Sequence, residues 1–304
     1  MIVQRRIRNY QAPLHKYMVD GGMENKRAIS IAHRRWGKDE IALAVTFQAL
    51  IDRPATYWTC LPEFAQARKA IWSAVNPHTG LRRIDEAFPE ELREVTNEGE
   101  MFIRFKNGAT WQVIGSDRYN SLVGAGVAGI TFSEWALANP SAWGYISPML
   151  RENNGWAMFV TTPRGKNHAY EMFNYGMKTD GWFAEVSNVL DTGAFAIAQL
   201  DEIKAEYVAL YGGDFGAAQF EQEYMCSFEA AILGSFYGTE LAAARSEGRI
   251  CDVAYDPDLP VMTVWDIGYS DDTVILFVQI IANEVRIIDT YSANGHNLEH
   301  YAGV

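Results

Sequence analysis

The sequence predicts an α/β protein built on a mainly parallel sheet covered by helices. Two patterns carry that prediction. Short runs such as "RAISIAH" (27–33), "ATYWTCL" (55–61), "GITFSE" (129–134) and "WAMFVTTP" (156–163) are apolar throughout and rich in β-branched or aromatic residues, as strands covered on both faces must be. Helical patterns alternate with them at Lys38 to Ile51, Glu63 to Val75 and Ser141 to Arg151, and such alternation favours right-handed crossovers between parallel strands. Between the second and third of these strands, "FIRFKNGATWQVIG" (102–115) alternates apolar and polar residues around Asn107-Gly108, the signature of a β-hairpin.

Residues 196–230 read as amphipathic helix. The stretch that follows mixes glycine, proline and charge, as a linker would, over 231–258. Three further strands, "VMTVWDIG" (261–268), "TVILFVQII" (273–281) and "EVRIIDTY" (284–291), are joined by short polar turns and predict an antiparallel meander. The expected organisation is therefore 1–230, a linker at 231–258, and a second domain at 259–304.

Composition narrows the function classes. The chain has 304 residues, 48% of them hydrophobic, enough for a large core, and its longest apolar run is of strand length, so no membrane role is expected. "MIVQRRIRNYQ" lacks the apolar stretch of a secretory signal. Cys60, Cys226 and Cys251 are odd in number and form no CxxC, which points to reduced thiols in a cytosolic setting. A net charge of −12 argues against a protein that coats nucleic acid with its whole surface. The charge is uneven, however, since residues 1–53 hold ten Lys and Arg against five acids.

That basic excess includes "ISIAHRRWGKDEIAL" (29–43), where a strand, a loop with glycine and a helix with lysine in its first turn make an anion site. A helix N-terminus presents unpaired N–H groups and a partial positive charge, and Lys38 adds a full one. Against the usual phosphate-loop pattern, GxxxxGK followed by Ser or Thr, Ala32 replaces the first glycine and Asp39 the hydroxyl residue. A second departure answers the first. The strand in "GVAGITFSEWA" ends in Ser133-Glu134 where phosphate-loop ATPases carry Asp-Glu. One carboxylate and one hydroxyl remain, with positions exchanged, so Asp39 and Ser133 are expected to serve Mg²⁺ jointly. Glu134, at the C-terminal end of a sheet strand, stands where a general base belongs. Arg34 or Arg35 would neutralise charge developing in phosphoryl transfer, and the residues do not say which.

With these residues in view, the chain resembles the large terminase subunit of tailed bacteriophages along essentially its whole length. "HRRWGKDE" (33–40) is similar to that family's arginine-rich phosphate loop, and "GSDRYNSLVGAGVAGITFSEWA" (115–136) to the stretch leading into its acidic strand, including the turn of Ser121, Leu122 and Gly124. "VTTPRGKNH" (160–168) looks like the coupling motif, "RNYQAPLHKYM" (8–18) places Gln11 at the adenine-reading position, and "QFEQEYMCSFEA" (219–230) is similar to the helix before the linker. Each motif alone is weak; five in the family's order are specific.

The resemblance implies a P-loop ATPase domain followed by the first strands of an RNase H-like nuclease. It implies that ATP with Mg²⁺ is bound by Gln11, the main chain of residues 34–39 including Arg35, Trp36 and Gly37, and Lys38, while Thr161 and Thr162 sense nucleotide state. Asp266 matches the first carboxylate of a nuclease that holds two Mg²⁺ or Mn²⁺ ions, and is expected at the centre of its strand. Asp271 or Asp272 would assist, and Asp289 would end the third strand as a structural residue. With about three strands of that sheet present, this chain is expected not to cut DNA. The implied partners are double-stranded DNA, a portal protein and a small terminase subunit. The implied setting is a homo-oligomeric ring, assembled in the host cytoplasm and transiently at the procapsid portal vertex. Two other readings compete: a helicase-like or repair ATPase that translocates on DNA without a capsid, and a nucleotide-free DNA-binding or assembly module.

Overall fold

The computed structural model describes residues 7–122, 124, 126–229, 238–268 and 272–304. The chain divides into two compact units, Met1–Ser235 and Phe236–Val304.

The first unit opens with α1 (Ala12–Val19), whose Leu14 and Met18 are buried, and enters β1 (Arg27–Ala32), every residue of which is buried. The basic loop leads to α2 (Lys38–Asp52) and then to β2 (Thr56–Leu61). Next come α3 (Phe64–Ala67), continued by a π-helical turn over Arg68–Trp72, and α4 (Arg83–Ala87). The single helix expected over 63–75 is thus shorter and changes winding midway.

The edge of the sheet follows: β3 (Arg93–Asn97), β4 (Phe102–Phe105) and β5 (Thr110–Gly115). The turn joining the last two has Gly108 at φ +90°, which glycine supplies without steric cost. Of the Ser121, Leu122 and Gly124 turn, Val123 lies outside the described residues, as does Ala125 just beyond it. The buried strands β6 (Val127–Ser133) and β7 (Trp156–Thr161) flank α5 (Ser141–Glu152). After α6 (His168–Lys178), β8 (Trp182–Ser187) completes the sheet, and α7 (Val189–Thr192), α8 (Ile197–Tyr211) and α9 (Gly213–Glu223) end the described part of this unit. The continuous helix expected over 196–230 is two helices, broken at Gly212, whose φ is +87°.

The eight strands run in the order β3-β4-β5-β2-β6-β7-β1-β8. Pairing is parallel from β5 to β8 and antiparallel only at β3–β4 and β4–β5, so the mainly parallel sheet is observed. Helices cover both faces, which is why β1, β6 and β7 carry no exposed residue. One core, on the α1–α2 side, gathers Leu14, Ile41, Leu43, Trp72 and Trp111; the other includes Ile29, Phe132, Trp135 and Phe159, with Phe132 and Phe159 stacked at 5.0 Å. β6 can pass beneath Trp156 only because Gly129 has no side chain, since a Cβ there would lie 2.2 Å from the indole. Among the described residues no helix is long and apolar enough to cross a membrane.

The second unit holds α10 (Gly238–Ser246), inside the stretch read as a linker, then β9 (Met262–Asp266), β10 (Thr273–Ile281), β11 (Glu284–Ala293) and α11 (Leu298–Ala302). The three strands form an antiparallel sheet in the order β11-β10-β9. Asp266 is the last residue of β9 rather than its centre, because Ile267 and Gly268 leave the ladder. Asp289 does not end its strand: β11 continues to Ala293, and Asp289 sits at a bulge opposite Phe277. The Asp272 carboxylate accepts a 2.7 Å hydrogen bond from the Ser292 hydroxyl, and Asp271 lies outside the described residues.

Candidate functional site

β1, β6 and β7 end side by side, and the segments that leave their C-terminal ends form one wall of a cavity of about 780 Å³. The loop after β1 is shaped by two left-handed residues, Arg35 at φ +70° and Gly37 at φ +94°. Gly37 is favoured by its φ, which is strained for any other residue, and a Cβ there would also press on the Gln11 amide at 2.8 Å and the Arg8 guanidinium at 3.0 Å, which would have to shift.

Gln11 is not a surface residue. Its side-chain amide donates to the Trp36 and Gly37 carbonyls at 3.1 and 3.2 Å, and its Oε1 accepts from the Arg8 backbone N–H. Trp36 is buried and turns away from the cavity, with its indole donating to the Ser187 hydroxyl at 2.8 Å. It therefore offers only its main chain to the site, and even its N–H is occupied by the His33 carbonyl at 3.2 Å. The Arg34 N–H is likewise taken, by the Glu223 carbonyl at 2.8 Å. The loop amides that can face an anion are thus fewer than the full 34–39 run; Lys38 and Asp39 open α2, where an N–H has no acceptor one turn back.

Lys38 is buried, and its ammonium donates to the Thr162 hydroxyl at 2.8 Å while lying 3.6 Å from a Glu134 carboxylate oxygen. Glu134 holds a left-handed φ of +54°, a conformation that costs a non-glycine residue about 1–2 kcal/mol. Strain of that kind persists where the surrounding structure enforces it, and it concentrates at functional sites. One residue earlier, the Ser133 hydroxyl donates to Asp39 Oδ1 at 2.7 Å. The two positions with exchanged side chains are therefore in direct contact, 94 residues apart in sequence. Thr161, at the end of β7, donates to the Thr162 carbonyl and accepts from the Ala136 N–H, joining β7 to the turn after Glu134.

The two candidate arginines differ. Arg34 pairs with Glu223 at 2.8 Å, whereas Arg35 is exposed and makes no ion pair among the described residues. Three residues that the sequence reading missed complete the site. Arg83, from α4, reaches Asp39 at 3.2 Å and Glu40 at 3.5 Å. Glu223, at the end of α9, is gripped by both Arg34 and Arg164, so the phosphate loop and the segment after β7 share one carboxylate. His33 is buried, with Nδ1 against the Arg34 carbonyl at 2.7 Å and Nε2 against the Thr192 hydroxyl at 2.8 Å, and burial lowers its pKa below the ordinary 6.5. The motif quoted around Glu223 marked its segment; nothing in its spacing indicated the double pairing.

Burial pushes the Glu223 carboxyl up, but Arg164 and Arg34 outweigh it and its pKa lies below the ordinary 4.5. A carboxylate depressed on folding stabilises above its unfolded pKa and loses that contribution as pH falls through its folded value. Glu223→Gln should therefore be less stable than the parent at pH 7, by about 1.5–3 kcal/mol, the scale of hydrogen bonds to charged groups. In a melting series the two should converge as pH falls below the depressed folded value, once the parent carboxylate is protonated as well.

Among the described residues no group of three or more His, Cys, Asp or Glu, in either unit, is arranged to hold a metal by itself.

No protein-family model matches the chain. In sequence it is similar to large terminase subunits of phages. It is 29% identical over 168 residues to that of Thermus phage G20c, covering 50% of this chain and 34% of the relative. It is 25% identical over 258 residues to that of Escherichia phage T5, covering 81% and 54%. The chain thus spans about a third to about half of the length of these curated relatives. The fold is that of terminase ATPase domains. The large terminase ATPase domain of Thermus phage P74-26 superposes with a TM-score of 0.55 at 20% identity, over 73% of this chain and 100% of that one. The large terminase of a thermophilic bacteriophage, solved in complex with ADP, gives 0.55 at 13% identity, over 98% and 72%.

Proposed function

We propose that this chain is the ATP-hydrolysing part of a phage DNA-packaging motor. The observation that carries the reading is the meeting of Asp39 with Ser133, where Asp39, Lys38 and Glu134 line one cavity. A carboxylate and a hydroxyl in contact are the oxygen donors that Mg²⁺ takes, so the donor set fits the ion. Bound there, Mg²⁺ would offset charge on the phosphate oxygens in phosphoryl transfer.

The chain's own residues divide the remaining work. Lys38 leaves Thr162 to meet the β and γ phosphates, together with N–H groups at the start of α2 and in the loop. Glu134 orients a water and accepts its proton. Arg35 is the better placed of the two loop arginines to meet developing charge, since Arg34 is committed to Glu223. Gln11 braces the loop and lines the same cavity; with both amide N–H groups spent on loop carbonyls, its contact with adenine would be made by Oε1 accepting from the base's amino group. Thr162, released by Lys38, and Thr161, bonded to the turn after Glu134, pass nucleotide state to β7 and onward to the DNA-gripping surface.

On this reading residues 1–230 are the ATPase domain, 231–258 a linker, and 259–304 the first strands of an RNase H-like nuclease in which Asp266 contributes to a two-metal site. The partners are double-stranded DNA, a portal protein and a small terminase subunit, with the motor ring formed at the procapsid portal in the host cytoplasm. A helicase-like ATPase would share the cavity. The test is ATP turnover with duplex DNA alone and with portal or small terminase protein added: stimulation by the capsid components supports packaging. Turnover that duplex DNA stimulates and the capsid components leave unchanged favours the alternative.

A further inference from the structure

The carboxylate proposed to hold Mg²⁺ is already paired with a cation of the protein's own. Asp39 Oδ1 is engaged by the Ser133 hydroxyl and Oδ2 by the Arg83 guanidinium, which also faces Glu40. Arg83 comes from α4, shortly after residues 76–79, which also line the cavity. That wall is internally firm: Asn76 and Thr79 both donate to the buried Glu86 carboxylate, and Val75 bridges Arg82. Arg83 ties this wall to the N-terminal turn of α2.

We propose, building on the nucleotide-site reading above, that Arg83 is a stand-in counter-ion which neutralises Asp39 when no metal is present and must yield its place when a divalent cation binds. Magnesium approaches a carboxylate oxygen to about 2.0–2.1 Å and keeps a shell of waters, which crowds a guanidinium held on the other oxygen of the same carboxylate. A charge of +2 beside the guanidinium adds repulsion in the same direction. Entry of the metal therefore loosens the tie between α2 and α4, and the metal has to compete with an internal cation that a protein with a hydroxyl at position 39 would not need. Arg83 is a positioning residue for the metal, acting through Asp39.

The experiment is a titration of Mg²⁺ into the protein with a non-hydrolysable ATP analogue, compared with the same binding in EDTA. Arg83→Gln should reach half-maximal Mg²⁺-dependent binding at a concentration lower by roughly 5-fold or more, the usual scale of coupling between two ligands. Any change of its affinity for the analogue in EDTA should be smaller than that shift and need not share its direction. An unchanged Mg²⁺ requirement overturns the proposal. So does an equal loss of affinity in EDTA and in Mg²⁺, which would make Arg83 a phosphate ligand. A parent protein that binds no analogue at any Mg²⁺ concentration removes the nucleotide site itself, and the inference with it. Should the variant fail to fold, hydrogen exchange on the parent decides: amides of residues 83–87 should exchange faster with Mg²⁺ and analogue than with analogue in EDTA, and equal or slower exchange overturns the proposal.

Discussion

Glu134→Gln should bind ATP as the parent does and hydrolyse it ~10²-fold or more slowly, the loss expected when a general base is removed. Glutamine preserves the length of the side chain and its hydrogen-bonding oxygen. It also inherits the left-handed backbone at this position without adding strain, so the fold should be unaffected. What disappears is the capacity to accept a proton. The neutral amide also cancels the attraction to the Lys38 ammonium, 3.6 Å away. Binding should therefore be equal or slightly tighter, because the lysine is freer to meet phosphate. Single-turnover hydrolysis alongside a fluorescent-nucleotide titration separates the two quantities, and parental turnover in the variant would remove Glu134 from the chemistry.

The second large effect is expected at Lys38. Lys38→Met should weaken nucleotide binding ~10²-fold, or about 2.7 kcal/mol, near the upper end for one charge-assisted hydrogen bond. Stability should move the other way or not at all. The Lys38 ammonium is buried at the cost of its hydration, which an apolar chain of similar length does not incur, and the Glu134 carboxylate it leaves behind is 28% exposed, so water can solvate it. Equilibrium dialysis and thermal melting on one preparation give the answer. Lost affinity with an undiminished melting temperature locates the lysine in the binding function, whereas parallel losses would mean that it serves the fold.

Much of the fold was legible because the central strands are buried on both faces. β1, β6 and β7 hold small, β-branched and aromatic residues nearly end to end, where a half-exposed strand would alternate with polar ones. The edges were not legible. β3 reads "REVTN" with four exposed residues, and β8 reads "WFAEVS", its Glu185 accepting from the Ser30 hydroxyl of β1. Neither carries the period or composition of a covered strand. In the site, the same distinction holds. Lys38, Asp39, Ser133 and Glu134 stand at ends of strongly patterned elements, so their chemistry could be read in one dimension. Arg83 and Glu223 reach their partners across 44 and 189 residues, and the sheet order that brings them together is not written in any local stretch.

The placement of β7 between β6 and β1 has a further consequence. The strand that donates no phosphate ligand and no acid is the one whose tip is wired to both neighbours, through Thr162 to the lysine and through Thr161 to the backbone beyond the glutamate. It sits like the tongue of a balance between two pans. On the proposed reading, loading either side would alter its restraints, so a change in cargo would be registered by a strand that carries none of it.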